Sequence, residues 1–141
     1  MPRLNGEYQI VVSSQYELSV PAEWMPLFVG PTVVLCWADT HWKLYYPGEF
    51  FAWHLVTDND HELSGHPIPD DIQRQIKSAC TVPLTPEGMF TIPPSLRLKP
   101  PGAVAMLGVT NHIEIWPLEA WRAHMSEQID QSAKSAAELL D

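Results

Sequence analysis

The sequence is short of cations. Its 141 residues contain 8 Lys and Arg against 17 Asp and Glu, which gives a formal net charge of −9. A surface of this sign repels phosphate backbones unless the few cations cluster on one face. The charge balance therefore weighs against nucleic-acid binding as a general property of the surface.

Long apolar runs are also missing. No segment reaches the roughly 18 to 20 continuous apolar residues needed to span a bilayer. The N-terminal stretch "MPRLNGEYQ" lacks the apolar core of a secretion signal. These absences predict a cytosolic protein with no membrane partner.

Cysteines and catalytic motifs are scarce. Cys36 and Cys80 are isolated, with no C-x-x-C pair that would indicate a zinc or redox site. Each lies in an apolar stretch, which predicts a reduced, buried thiol. The chain also has no Gly-rich phosphate loop and no recognisable nucleophile turn. We therefore expect neither an enzyme nor a cofactor.

What the sequence has in quantity is proline and apolar residues. Fourteen prolines favour short strands, edges and turns over long helices, because proline fixes φ and removes a backbone donor. Hydrophobic residues make up 45% of the chain, enough to bury a core. The length predicts a single domain over 1–141.

The chain also contains an internal repeat. Aligning Pro21 with Pro93 sets an offset of 93 − 21 = 72, at which apolar residues fall on apolar residues. A shift of one or two residues in the next turn extends the match to Pro47 and Pro117. We predict a first repeat over 7–55, a connecting loop and short helix over 56–79, and a second repeat with a C-terminal helix over 80–141. Matched pairs include Ile10 and Val82, Leu18 and Phe90, Val20 and Ile92, Gly30 and Gly102, and Leu44 and Ile115.

Each repeat has the pattern of short strands with a brief helical turn, so the predicted class is mainly β with short helices (α+β). A hairpin ends at proline, one helical turn follows, then two further strands and a helix. The corresponding segments are "YQIVV", "YELSV", "PAEWM", "TVVLCW" and "WKLYY" in the first repeat, and "ACTVPL", "MFTI", "PPSLR", "AVAMLGV" and "IEIW" in the second.

These motifs carry a family resemblance. The order "GEYQI…SVPAEW…LYYPGEF", followed by "FTIPPSLR" and "LGVTNHIEIW", resembles the MraZ family, bacterial proteins related to AbrB-type DNA-binding domains. The resemblance covers nearly the whole chain. It implies two tandem AbrB-like repeats forming one swapped-hairpin, double-split β-barrel. It also implies a ring-shaped homo-oligomer in the cytoplasm and nucleoid, which regulates a cell-division and cell-wall gene cluster through promoter DNA.

The DNA-reading pattern of that family is not matched. The resemblance implies an Asp-x-x-x-Arg pattern in the hairpin of each copy. Counting back from the prolines places it at Ser13 and Glu17, and at Thr85 and Met89. The arginine fork binds phosphate or a guanine edge bidentately, which neither Glu17 nor Met89 can do. These four residues are therefore not assigned to DNA.

Other cations are the remaining candidates for DNA contact. Arg97 matches the "LR" of the family and is followed by Lys99, whereas Arg74 and Lys77 lie on the connecting helix. The alternative is that they are ordinary surface charges, or that Arg97 pairs with a carboxylate.

Tryptophans and polar turns supply the other candidates. Of six tryptophans, Trp24 and Trp116 align with apolar partners and are predicted in the core. The remaining four are predicted at subunit contacts: Trp37, Trp42, Trp53 and Trp121. His41 and His112 are predicted to cap turns. The connecting loop offers potential metal ligands, but at a spacing typical of no established site, so no metal is predicted; they are Asp58, Asp60, His61, Glu62 and His66.

Two functions remain open from the sequence. In the first, the chain is a ring-forming transcriptional regulator that binds promoter DNA. In the second, it is a related barrel without the basic reading edge, acting as an interaction or scaffold protein. The resemblance favours the first and the negative charge favours the second, because a shared fold does not specify a site.

Overall fold

The computed structural model describes residues 6–28, 30–53, 65 and 68–140, and for 134–140 the backbone only. Its class is α+β, as predicted, with eight strands and three helices among the described residues. The strands are β1 (Glu7–Val11), β2 (Glu17–Ser19), β3 (Thr32–Trp37), β4 (Trp42–Tyr45), β5 (Cys80–Pro83), β6 (Met89–Thr91), β7 (Ala103–Val109) and β8 (His112–Pro117). The helices are α1 (47–53), α2 (Asp70–Ser78) and α3 (Leu118–Leu140), and 3-10 turns span Ala22–Leu27 and Pro94–Leu96.

The strands form two antiparallel sheets. Six of them pair in the order β1-β7-β8-β4-β3-β5, and β2 pairs with β6 in a two-stranded ribbon. The predicted hairpin pairing of "YQIVV" with "YELSV" is wrong, because β1 pairs with β7 and β2 pairs with β6. Alternation specifies which side chains face the core but leaves the partner strand open. Within the described strands the larger sheet is open, with β1 and β5 at its edges.

The strand order is unchanged when the two halves of the chain are exchanged. Replacing each of β1–β4 by β5–β8, and the reverse, gives the same neighbours in both sheets. Leu18 pairs with Phe90 (90 − 18 = 72), and Lys43 pairs with Glu114 (114 − 43 = 71). Each of these pairs joins two positions that are equivalent in the two halves, so exchanging the halves leaves the pair unchanged.

The same offsets relate the outer pairings of the large sheet. Gln9 of β1 pairs with Ala105 of β7. Adding 72 to 9 and subtracting 71 from 105 gives Thr81 and Val34, which pair between β5 and β3. Each of the eight described strands has a partner in the other half, and within a half the pairs are β3 with β4 and β7 with β8, so neither half has a complete sheet of its own.

The turns before β2 and β6 have matching backbone hydrogen bonds. The Tyr16 amide donates to the Ser13 carbonyl at 2.9 Å, and the Gly88 amide donates to the Thr85 carbonyl at the same distance. Tyr16 and Gly88 both have positive φ, at 61° and 90°. Glycine adopts this region readily, whereas tyrosine occupies it at a cost.

One hydrophobic core is shared by both halves. It lies between one face of the six-stranded sheet and the inner side of the ribbon. Its fully buried members include Leu35, Leu44, Met106, Ile113 and Ile115 of the sheet, and Trp24 and Leu96 of the 3-10 turns. Trp24 is therefore a core residue, as predicted. The two 3-10 turns follow Pro21 and Pro93, and the first includes Pro26 and ends at Leu27.

The opposite face of the sheet is covered by helices. Tyr45 packs against Phe50 and Trp53 of α1, and Trp116 packs against Trp121 of α3. Helix α2 is present where the spacing of Ile72 and Ile76 predicted it. It follows Pro69, carries Asp70 and Asp71 in its first turn and Lys77 in its last, all favourable to the helix dipole.

We predict that Gly88→Ala destabilises the fold more than Gly30→Ala. Both glycines have positive φ, but a Cβ at Gly88 would lie 2.8 Å from Met25 Sδ and 3.2 Å from the Val20 carbonyl, whereas one at Gly30 meets nothing within 4 Å. Urea denaturation should show a loss of about 3 kcal/mol at Gly88 and about 1 kcal/mol at Gly30. Equal losses would mean that conformational strain alone acts at Gly88.

Candidate functional site

The positions that correspond to the family's DNA-reading pattern lie in the two turns that precede the ribbon strands. Because β2 and β6 are antiparallel, these turns are at opposite ends of the ribbon. Ser13 Oγ accepts the Glu17 amide at 3.1 Å, and Thr85 Oγ1 accepts the Met89 amide at 2.9 Å. Ser13 and Thr85 thus cap their turns, a role that an aspartate also performs.

The charge of these turns is negative. Segments 13–17 and 85–89 contain Glu17 and Glu87 and no lysine or arginine. Phosphate binding at the turns would therefore require a cation from another element.

Arg97 is the predicted cation that lies nearest a turn. Its guanidinium carbon is 4.7 Å from the centre of the Tyr16 ring, and its Nε donates to the Ile92 carbonyl at 2.9 Å. These contacts are with a backbone carbonyl and an aromatic ring, and not with the carboxylate that one of the alternatives proposed for Arg97. The residue itself is exposed, so its terminal nitrogens face solvent at one end of the ribbon.

The other three predicted cations lie on different elements. Arg74 of α2 binds Asp39 through two hydrogen bonds, at 2.8 and 3.2 Å, and this guanidinium lowers the pKa of the Asp39 carboxyl. Lys77 is exposed one helical turn further on. Lys99 lines a cleft of about 360 Å³ together with Arg122, near the start of α3. The structure therefore does not gather the four residues at one site.

The candidate contact tryptophans differ in exposure. Trp42 is wrong as a contact candidate: it is 2% exposed and its Nε1 donates to the Leu96 carbonyl at 2.9 Å, which fixes it in the core of its own chain. The other three are half-buried: Trp37, Trp53 and Trp121. Trp116 is buried as predicted, on the helix-covered face of the sheet.

That face carries a cluster of histidines around one carboxylate, which we call the Glu114 cluster (His41, His112, Glu114 and Trp116). Glu114 Oε1 accepts Trp116 Nε1 at 2.9 Å, and Glu114 Oε2 lies 3.3 Å from His112 Nε2. The His41 ring stacks on the Trp116 ring, with centres 4.1 Å apart. The predicted turn contacts are also present, to Thr40 from His41 and to Asn111 from His112.

The electrostatics of the cluster favour an ionised Glu114 and a neutral His41. The hydrogen bond from His112 lowers the pKa of Glu114 to about 2, although burial opposes this. Burial lowers the pKa of His41 to about 4, although Glu114 opposes this. At neutral pH the cluster therefore holds one negative charge inside a ring of donors and aromatic faces.

The cluster follows the same exchange as the strands. Adding 71 to His41 and Tyr45 gives His112 and Trp116, and the stack of His41 on Trp116 corresponds to that of His112 on Tyr45, at 4.9 Å. The equivalence of the two histidines could be read from the sequence offset, since it places them at equivalent turns. Sequence reasoning missed Glu114 because nothing in one strand indicates that both turns meet at its side chain.

The remaining sequence candidates give simpler outcomes. Cys36 is buried and free, with burial raising the pKa of its thiol to about 11, and Cys80 is half-buried and free. Among the described residues, no group of His, Cys, Asp and Glu could hold a metal ion. The potential ligands between Asp58 and His66 lie outside those residues. No helix in the described ranges is long and apolar enough to cross a bilayer.

Comparison with known proteins adds no relative. No family model matches the chain, and no curated protein matches it either.

Proposed function

We propose that this chain is a MraZ-like transcriptional regulator that binds promoter DNA of a cell-division and cell-wall gene cluster as a homo-oligomer. The observation that carries the proposal is the interlocked strand order, in which both sheets keep their neighbours when the halves are exchanged. This is the pairing expected of two AbrB-like repeats that swap hairpins. The motif order quoted above points to the same family from the sequence.

The ribbon gives this proposal a binding geometry. In a double-split barrel, the ribbon of β2 and β6 closes over the large sheet, and their side chains Leu18 and Phe90 belong to the shared core. The ribbon's outward residues and both turns then remain available to a partner. Two equivalent turns at opposite ends of a short ribbon suit a ligand with a repeating backbone, such as duplex DNA.

Arg97 is the residue we expect to contact phosphate. Its Nε donates to the Ile92 carbonyl and its guanidinium carbon lies 4.7 Å from the centre of the Tyr16 ring, so two contacts within the chain position the side chain. At the other end of the ribbon the position equivalent to Arg97 is Met25 (97 − 72 = 25), and the position equivalent to Tyr16 is Gly88 (16 + 72 = 88). This cation is thus present at one end of the ribbon and not at the other. An assembly of several subunits would present one copy of Arg97 per subunit.

The second candidate function is a scaffold or interaction protein that does not bind DNA. Glu17 and Glu87 in the turns, together with the engagement of Arg74 by Asp39, favour it. This candidate shares the fold and the oligomer with the first and differs only in the partner.

We predict that the protein binds a duplex of its own upstream promoter saturably, with an affinity that falls as salt rises. Arg97→Gln should weaken binding and reduce the slope of log K against log salt by about one per contacting subunit, because one phosphate contact is lost. Arg74→Gln is the matched control and should leave the slope unchanged, since Arg74 is already paired. Fluorescence anisotropy at several salt concentrations measures both quantities. No binding by the wild type at low salt would favour the scaffold function.

We also predict self-association. Light scattering should return a mass of at least twice 15.9 kDa. Ile129 is 63% exposed on α3 and offers apolar area that a second subunit would cover. Ile129→Glu should lower the mass or weaken assembly, whereas Gln128→Glu, which adds the same charge without removing apolar area, should not. A 15.9 kDa species at tens of micromolar protein would contradict the oligomer.

A further inference from the structure

His41 has a buried ring nitrogen without a hydrogen-bond partner. Its Nδ1 lies 2.8 Å from Thr40 Oγ1, but Nε2 has no partner among the described residues, and the nearest carboxylate oxygen, Glu114 Oε1, is 3.7 Å away. That oxygen already accepts Trp116 Nε1 at 2.9 Å. The His41 side chain is 12% exposed. A proton added to Nε2 therefore has no acceptor at hydrogen-bonding distance in the observed arrangement.

The groups that face His41 come from three elements. Glu114 and His112 belong to β8, Lys43 belongs to β4, and His124 belongs to α3. Of these, Glu114 alone is negative. Protonation of His41 therefore adds a positive charge near Lys43, with one carboxylate among these groups to offset it.

Few contacts hold the start of α3 on the sheet. Trp116 packs against Trp121 and His124, with ring centres 5.6 and 4.8 Å apart, and Trp121 Nε1 donates to Glu7 Oε1 at 3.1 Å. His41 stacks on the same Trp116 ring. Beyond His124 the described side chains of α3 are exposed. The packing of α3 against the sheet therefore depends on the position of the Trp116 ring.

We propose that the contact between α3 and the sheet is a proton-sensitive device, in which protonation of His41 releases the first turns of α3 while the sheet stays folded. The imidazolium moves toward Glu114 Oε1 and competes with Trp116 Nε1 for that oxygen. Trp116 loses its hydrogen bond and its stacked neighbour, and with them its packing against Trp121 and His124. This device is independent of what the chain binds.

The direction of the pH effect follows from proton linkage. Burial holds the pKa of His41 near 4 in the closed form, and a solvated imidazole has a pKa near 6.5. The released form thus binds the proton more tightly, and release becomes more favourable as pH falls from about 6.5 toward 4. One such proton raises the opening equilibrium of α3 by roughly 30-fold between pH 7.5 and pH 5.0.

Hydrogen exchange of the full chain at pH 7.5 and pH 5.0 tests the device, with labelling times scaled to the intrinsic rate at each pH. Amides of 118–126 should lose protection by roughly 30-fold at pH 5.0, whereas β3 and β7 stay protected. His41→Phe keeps a ring on Trp116 and removes the proton site, so it should hold the protection of 118–126 at pH 5.0. If circular dichroism at pH 7.5 shows that the His41→Phe variant is unfolded, the His41→Gln variant is used in its place.

Three results would overturn the proposal. If the exchange protection of the amides of 118–126 does not change with pH, α3 has no proton-sensitive contact. Loss of protection in 118–126 and in the sheet together would show ordinary acid unfolding. A non-titrating His41 variant with the same pH response as the wild type would place the sensing proton elsewhere.

Discussion

Hydrogen-bonded pairing between strands of opposite halves is the constraint on which the other features of this structure depend. β1 finds its partner in β7, β5 in β3, β2 in β6, and β4 meets β8 at the centre of the large sheet. Neither half alone can complete a sheet or enclose the core. The ribbon, its two turns and the Glu114 cluster all lie at places where one half meets the other, so each potential site is a product of that pairing.

The same constraint explains why the two faces of the sheet differ. The inner face is sealed by the ribbon and the 3-10 turns, and its side chains are apolar. The outer face holds Lys43 of β4 and His112 and Glu114 of β8, with His41 in the turn before β4. Polar groups buried there need partners. Glu114 finds them in His112 and Trp116, whereas His41 Nε2 has none among the described residues. In the proposed device, a change of protonation on this face acts on α3 before it acts on the core.

The sequence predicts the elements better than their partners. Alternating residues and prolines locate every described strand and both 3-10 turns, because burial and φ are local properties. The offset of 72 found at Pro21 and Pro93 relates β1 to β5 and β2 to β6, whereas the registers of β3 and β4 correspond to those of β7 and β8 at an offset of 71. The pairing of β1 with β7 was not predictable, since alternation is equally consistent with a hairpin. Trp42 was misjudged because its indole partner, the Leu96 carbonyl, lies 54 residues away. Glu114 was overlooked because its role depends on two turns that meet only in the folded chain.

The central claim is that the two halves fold as one interlocked unit. Native-state hydrogen exchange in increasing urea tests it most directly, using the amides of β3 from the first half and β7 from the second. The account predicts that both sets exchange through a single opening, with the same free energy and the same urea dependence. Exchange of one half through a separate opening of lower free energy, while the other half stays protected, would contradict it.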